Sequence, residues 1–166
     1  MTLTPSQLWG TLAPDLRMTA ARALYAHDWG ESPTRREADF AIMQAMRFRE
    51  TAVRQLPIDK RAGYLARSLR PNDSLASSLL LAYHLEHKRP LLGAFLDALG
   101  IAHKDGLIEE AETSPPTAAT LKKAVASLRS AFPDEDVDLY LTTLYVLDRE
   151  TWGGIEELAL APQQLK

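Results

Sequence analysis

The stretch NDSLASSLLLAYHLEHKRPLLGAFLDALGI, residues 72–101, decides the fold class. Asn72, Asp73 and Ser74 offer three consecutive side chains able to accept from the free N–H groups of a helix start. Behind them, Leu75, Ala76, Leu79, Leu80, Ala82, Tyr83 and Leu85 cover most of the circumference at about 100° per residue. Only a narrow strip through Ser77, His84 and Lys88 reads as wet. A helix apolar nearly all round is one covered by neighbours on several sides. Arg89-Pro90 stops it, because the residue before a proline avoids the α region, and Pro90 then suits the start of the next helix. Leu91 to Leu99 form that second apolar helix. Gly100 fits a left-handed closing position and Ile101 its accompanying hydrophobic contact. The expectation is a buried helical hairpin at about 73–99, with the remaining chain around it. Neither helix reaches the roughly 20 apolar residues of a membrane span.

Outward from this pair the chain continues in helices. Thr4-Pro5-Ser6-Gln7 is a cap, a first-position proline and a third-position Gln, the signature of a helix start. A second helix runs from about Asp15 to His27 on Leu16, Ala20, Ala21, Ala23, Leu24 and Tyr25. A third opens at Ser32-Pro33 and reaches about Arg49, with Phe40, Ile42, Met43 and Met46 expected on its inner side. A fourth starts at Pro57, carries Tyr64, Leu65 and Leu69, and halts at Pro71. Ala102 to Gly106 form a turn marked by Asp105-Gly106. Leu107 to Glu112 read as a helical turn or a short extended piece. Leu121, Val125, Leu128 and Phe132 define an amphipathic helix over about 118–131, broken by Pro133. Asp134, Glu135, Asp136 and Asp138 then crowd the first turn of another helix, where negative charge suits the dipole. Asp148 to Gly154 form a turn or bend, Ile155 to Leu160 a last helix, and Pro162 to Lys166 a loose tail. No segment alternates with period two for long enough to be a strand. The fold class expected is all-α: about eight helices in a compact bundle or orthogonal array, as a single domain over 1–166.

A repeat is suggested within this pattern. Leu56-Pro57 and Tyr64-Leu65 recur 76 residues later as Phe132-Pro133 and Tyr140-Leu141. At the same spacing Leu79 aligns with Ile155, and a one-residue gap brings Leu75 onto Trp152. Two related helix-pair units, about 41–85 and 117–160, would follow, an architecture that serves binding more often than chemistry.

Composition narrows the function classes. Hydrophobic residues make up 46% of the chain, which excludes wholesale disorder. The absence of cysteine excludes disulfides and thiolate metal sites, and it suits a cytoplasmic protein. The N-terminal sequence lacks the basic start and apolar run of a signal peptide. Net charge is −3, which argues against general nucleic-acid affinity, but it is unevenly placed. Residues 1–89 hold 13 Lys/Arg against 9 Asp/Glu, a balance of +4, and residues 90–166 hold 6 against 13, a balance of −7. Such a division suits halves or subunits that meet with complementary charge, or a basic surface for a polyanion.

Residues able to carry chemistry are few. There is no Gly-x-Ser-x-Gly elbow, no phosphate-cradling glycine loop and no His-Glu-x-x-His. His84 and His87 lie at i, i+3 on one helix, His103 and Asp105 follow the next, and Glu109, Glu110 and Glu112 are near in sequence. His84, His87, His103 and Asp105 are therefore the candidates for a metal, and His103 with Asp105 for acid–base work, against the plainer account of surface and helix-capping histidines and a turn that needs no function. The arginine-rich stretch holds Arg35, Arg36, Arg47, Arg49, Arg54, Lys60, Arg61, Arg67 and Arg70, a surplus of +5 over its carboxylates. Of these, Arg35, Arg36, Arg47, Arg49, Arg54 and Arg61 are the candidates for partner binding. Trp9, Trp29 and Trp152 each lie near a glycine, and one left exposed would suit an interface.

The expected function, reached by elimination, is that of a non-enzymatic helical interaction or scaffold protein that binds a protein partner or self-associates, with no cofactor and no membrane association. The rival is a ligand-binding or metal-assisted enzyme at the histidine/carboxylate cluster near the central hairpin. A second alternative is nucleic-acid binding through residues 35–70. A flat or grooved surface rimmed by the arginines of residues 35–70 would favour the interaction reading; three of the histidine and carboxylate side chains converging in a concave pocket would favour the enzyme.

Overall fold

The computed structural model describes residues 2–109 and 114–158, and the chain is all-α there apart from one short hairpin. In order, the helices are α1 (Pro5–Thr11), α2 (Pro14–Ala26), α3 (Thr34–Met46), α4 (Glu50–Gln55) and α5 (Ile58–Gly63), the last running on as a π-helical turn, Tyr64–Ser68. Then come α6 (Asp73–His87), α7 (Arg89–Leu99), the strands β1 (His103–Lys104) and β2 (Leu107–Ile108), α8 (Ala118–Ala131), α9 (Asp134–Leu147), α10 (Arg149–Trp152) and α11 (Ile155–Leu158). Among the described residues no helix is long and apolar enough to cross a membrane. Residues 110–113 and 159–166 lie outside the described residues, and with them Glu110, Glu112, the end of the expected last helix and the expected tail.

Local chemistry sets most borders. Thr4 and Gln7 form the full capping box at α1. Of the three candidate acceptors at the start of α6, Asn72 does the capping, taking the Leu75 N–H at 2.9 Å, while Asp73 accepts from the backbone of Ser6 at 3.0 Å. Gly100 closes α7 at φ 71°, and the Ile101 N–H reaches back to the Leu96 carbonyl at 2.9 Å, the bond of a Schellman ending. Asp105 and Gly106 both have positive φ, 52° and 89°. They form the two-residue turn that joins β1 to β2, with His103 opposite Ile108 and Lys104 opposite Leu107. The expected third helix stops early. Arg47 takes a left-handed φ of 57°, and the Phe48 N–H bonds to the Met43 carbonyl, so residues 47–49 separate α3 from α4.

The chain divides into two compact units, Met1–Glu86 and His87–Lys166. The division falls at the last residue of α6, so the two helices expected to pair belong to different units. In the first unit α2 packs on α5 and the π-helical turn, and α3 packs on α4 and the same turn. Leu24, Ile42, Leu65, Leu79, Leu80 and Leu85 are fully buried there. In the second, α7 packs on α8 and on the hairpin, and α9 on α8, α10 and α11. Its centre is aromatic: Phe95 meets the Tyr140 ring edge-on at 5.6 Å and lies 5.8 Å from Trp152.

The two segments proposed as repeats fall in separate units. They share a helix that begins after Pro57 or Pro133, and buried residues at Leu65 and Leu141, Leu75 and Trp152, Leu79 and Ile155. They differ on either side of it. The preceding helix is one piece of 14 residues in α8 but is interrupted at Arg47 in the first unit. The following helix is the 15-residue α6 in one case and the four-residue α10 and α11 in the other.

Candidate functional site

The first unit carries an open groove of about 1330 Å³ between α3, α4 and the segment from Ser68 to Leu75. Helical periodicity explains its α3 wall. Thr34, Ala38 and Ile42, four apart, are buried against the core. Pro33, Arg36, Glu37, Phe40, Ala41 and Gln44, spaced three and four apart, form a second stripe that lines the groove. Phe40 is therefore not on the inner side expected for it: it is 55% exposed, whereas Ile42 is 0%. Two residues apart on a helix means about 200° around it, so the two side chains cannot share a face. Met43, Ala45, Val53, Leu69, Pro71 and Leu75 add apolar lining.

A polar network anchors this wall from behind. Asp39 accepts from the Tyr25 phenol at 2.7 Å and from Arg61 Nη1 at 3.4 Å. Arg61 also donates through Nε to the Leu56 carbonyl at 3.1 Å and through Nη2 to the Arg54 carbonyl, with its guanidinium 5.8 Å from the centre of the Tyr25 ring. One arginine thus ties α5 to the C-terminal end of α4, to α3 and to α2. Burial, then the hydrogen bond to Asp39 and that carboxylate's charge, hold the Tyr25 phenol well above its ordinary range, so it stays protonated.

The arginine candidates separate on this geometry. Arg61 is committed to the network, and Arg35 donates to the His27 carbonyl. Arg54 lines the groove in an i, i+4 pair with Glu50 at 2.7 Å. Arg36 and Arg70 also line it, and among the described residues neither makes a side-chain hydrogen bond or ion pair. Arg47 and Arg49 are exposed in the α3–α4 connection and are likewise uncommitted. The described lining contains no His, Lys or Tyr. Of its carboxylates, Asp39 and Glu50 are engaged and Glu37 alone is not, so no acid–base pair is assembled there.

The histidine candidates do not assemble either. Among the described residues no three His, Asp or Glu side chains come together as metal ligands. His84 is not on a wet strip: it is 2% exposed in the first unit, with Nδ1 2.9 Å from the Leu80 carbonyl, so that nitrogen carries the proton. His87 is exposed at the end of α6. His103 pairs with Asp97 rather than Asp105, through Nε2 at 2.7 Å, while its Nδ1 accepts the Gly106 N–H at 3.0 Å. Both ring nitrogens are used, and the backbone donor fixes the neutral tautomer. Asp105 serves the turn, its carbonyl accepting from Arg89 at 2.9 Å.

The tryptophans are not the exposed aromatics. Trp9 and Trp152 are buried, and Trp29 donates Nε1 to the Leu24 carbonyl at 2.7 Å. Sequence reasoning missed Phe40, and the signal was present: with Ala38 and Ile42 four apart, Phe40 falls opposite them. A comparison with protein families, curated proteins and solved structures finds no match to this chain.

Proposed function

We propose that this is a non-enzymatic interaction protein that binds a polypeptide partner in the groove between α3, α4 and residues 68–75. The observation that carries the reading is the exposed Phe40 inside a groove lined by apolar residues and by arginines. Its volume of about 1330 Å³ exceeds the roughly 300–1,000 Å³ usual for a small-molecule pocket, and an open trough of that size suits a chain segment. Burying a phenylalanine is worth about 1.5–3 kcal/mol, enough for one anchor of a modest interface. The π-helical turn supports the same place, since Ser68 at its end lines the groove and such turns recur at functional sites.

The test compares affinity captures from the source cells by the wild type, Phe40→Asp and, as a control on exposed apolar surface elsewhere, Leu107→Asp. The expected result is a partner held by the wild type and Leu107→Asp but lost with Phe40→Asp. If that partner proves to be a second copy, sedimentation will show an oligomer that Phe40→Asp dissociates. Identical captures by all three proteins, with no self-association, would discard the groove as the binding surface.

A further inference from the structure

Resting on the groove reading, we propose that the groove receives an acidic amphipathic helix, with its apolar stripe on Phe40 and its carboxylates on Arg36 and Arg70. Charge selects the class of occupant. Arg36 and Arg70 line the groove without a side-chain partner among the described residues, whereas Arg54 and Asp39 are already paired. An uncharged apolar segment would cover Phe40 but strip water from two arginines without replacing it. A basic segment would meet like charge. A segment with Asp or Glu beside its apolar stripe supplies the planar acceptor that a guanidinium binds through two N–H groups. The lining itself reinforces this, because among the described residues Glu37 is its lone uncommitted carboxylate.

The form of the occupant follows from the walls. Strand addition needs a run of open backbone donors and acceptors. The extended part of the wall is short, and Pro71 within it has no N–H and gives its carbonyl to the Ser6 hydroxyl at 2.8 Å. The α3 wall instead presents side chains at three- and four-residue spacing, which a guest helix can interleave. Nucleic acid would also pair with the arginines, but Phe40 is the one aromatic in the described lining, and a single ring is no stacking platform for successive bases.

The experiment measures binding of labelled peptides to the full chain by fluorescence anisotropy. One peptide is a capped helix about 16 residues long with a leucine stripe flanked by glutamates; a second carries lysines in their place. An oligothymidylate about 12 nucleotides long is the third probe. Thermal unfolding confirms that the variants, all at exposed positions, remain folded. The acidic peptide is expected to bind at least about tenfold tighter than the basic one, and to weaken between about 50 and 500 mM salt. Phe40→Asp should abolish the binding, and the double variant Arg36→Glu/Arg70→Glu should reverse the preference. Equal binding of both peptides, lost in Phe40→Asp, would overturn the acidic assignment and leave the groove reading intact. Binding unaffected by Phe40→Asp would overturn both. Oligothymidylate binding that depends on Arg36 and Arg70 and displaces the acidic peptide would overturn the proposal in favour of a nucleic-acid surface.

Discussion

Arg47 and Gly106 both sit where φ is positive, and substitution at the two should act in opposite directions. Arg47 closes α3 in the left-handed region, at φ 57°, a position that costs a residue with a Cβ and costs glycine little. Arg47→Gly is expected to raise stability by about 0.5–1 kcal/mol in urea unfolding. At Gly106, φ is 89° and an added Cβ would stand 2.7 Å from the Cβ of Leu92. Gly106→Ala should therefore lower stability by about 1–3 kcal/mol and loosen the hairpin from α7. Tyr25 has a consequence in pH. An unfolded tyrosine loses its proton near pH 10, while burial and Asp39 keep the folded phenol protonated well above that. Below pH 10 both states are protonated and the fold keeps its full stability; above it only the unfolded chain ionises, so stability falls as pH rises. The expected slope is about 1.4 kcal/mol per pH unit for each such group. Tyr140, raised by burial, contributes in the same sense in the other unit. Tyr25→Phe should start about 1 kcal/mol less stable, for the lost hydrogen bond, and show a shallower decline above pH 10.

At the scale of the element, α3 is the informative helix because both of its long faces are used. Ile42 is enclosed by the core and Phe40 stands in the groove. Ile42→Ala is expected to cost about 2–4 kcal/mol, and Phe40→Ala to stay within about 0.5 kcal/mol of wild type in the same denaturation experiment. Equal losses at the two positions would show that Phe40 is packed. The borders of this and other helices were legible beforehand wherever one local group satisfies another: Thr4 with Gln7, Gly100 with Ile101, Asp105 with Gly106. The break at Arg47 was not. No glycine or proline marks it, and the α3–α4 corner is held by a distant contact, the Phe48 ring edge-on to Tyr64 at 5.6 Å. The histidines misled for a related reason. His84 shares its helical strip with Ser77 and Lys88, which stay half-buried, yet His84 itself is covered.

For the whole molecule, the charge count takes on a location once the chain is divided. Residues 1–86 hold 11 Lys/Arg and 9 Asp/Glu, and residues 87–166 hold 8 and 13, so the surplus of arginine and the groove belong to the same unit. The second unit depends on its aromatic centre. Phe95, fully buried against Tyr140 and Trp152, should cost about 3–5 kcal/mol when cut to alanine. In hydrogen exchange, the protection lost in Phe95→Ala should be concentrated in α7, α8 and α9, with α2 and α3 least affected; a uniform loss would contradict the division into two units.

By itself the sequence determined the helical class, most helix borders, the Asp-Gly turn and the apolar load of residues 75–99. Each rests on interactions within a few residues: caps, prolines, positive-φ positions and a side-chain repeat of 3.6. The tertiary structure alone decided which side of α3 is buried, that Arg61 and Arg35 are spent internally while Arg36 and Arg70 find no side-chain partner among the described residues, that His103 meets Asp97, and that α6 and α7 fall in different units. Those outcomes depend on which elements come to lie beside one another. A helical wheel records how a helix could be covered, and only its neighbours determine which face is.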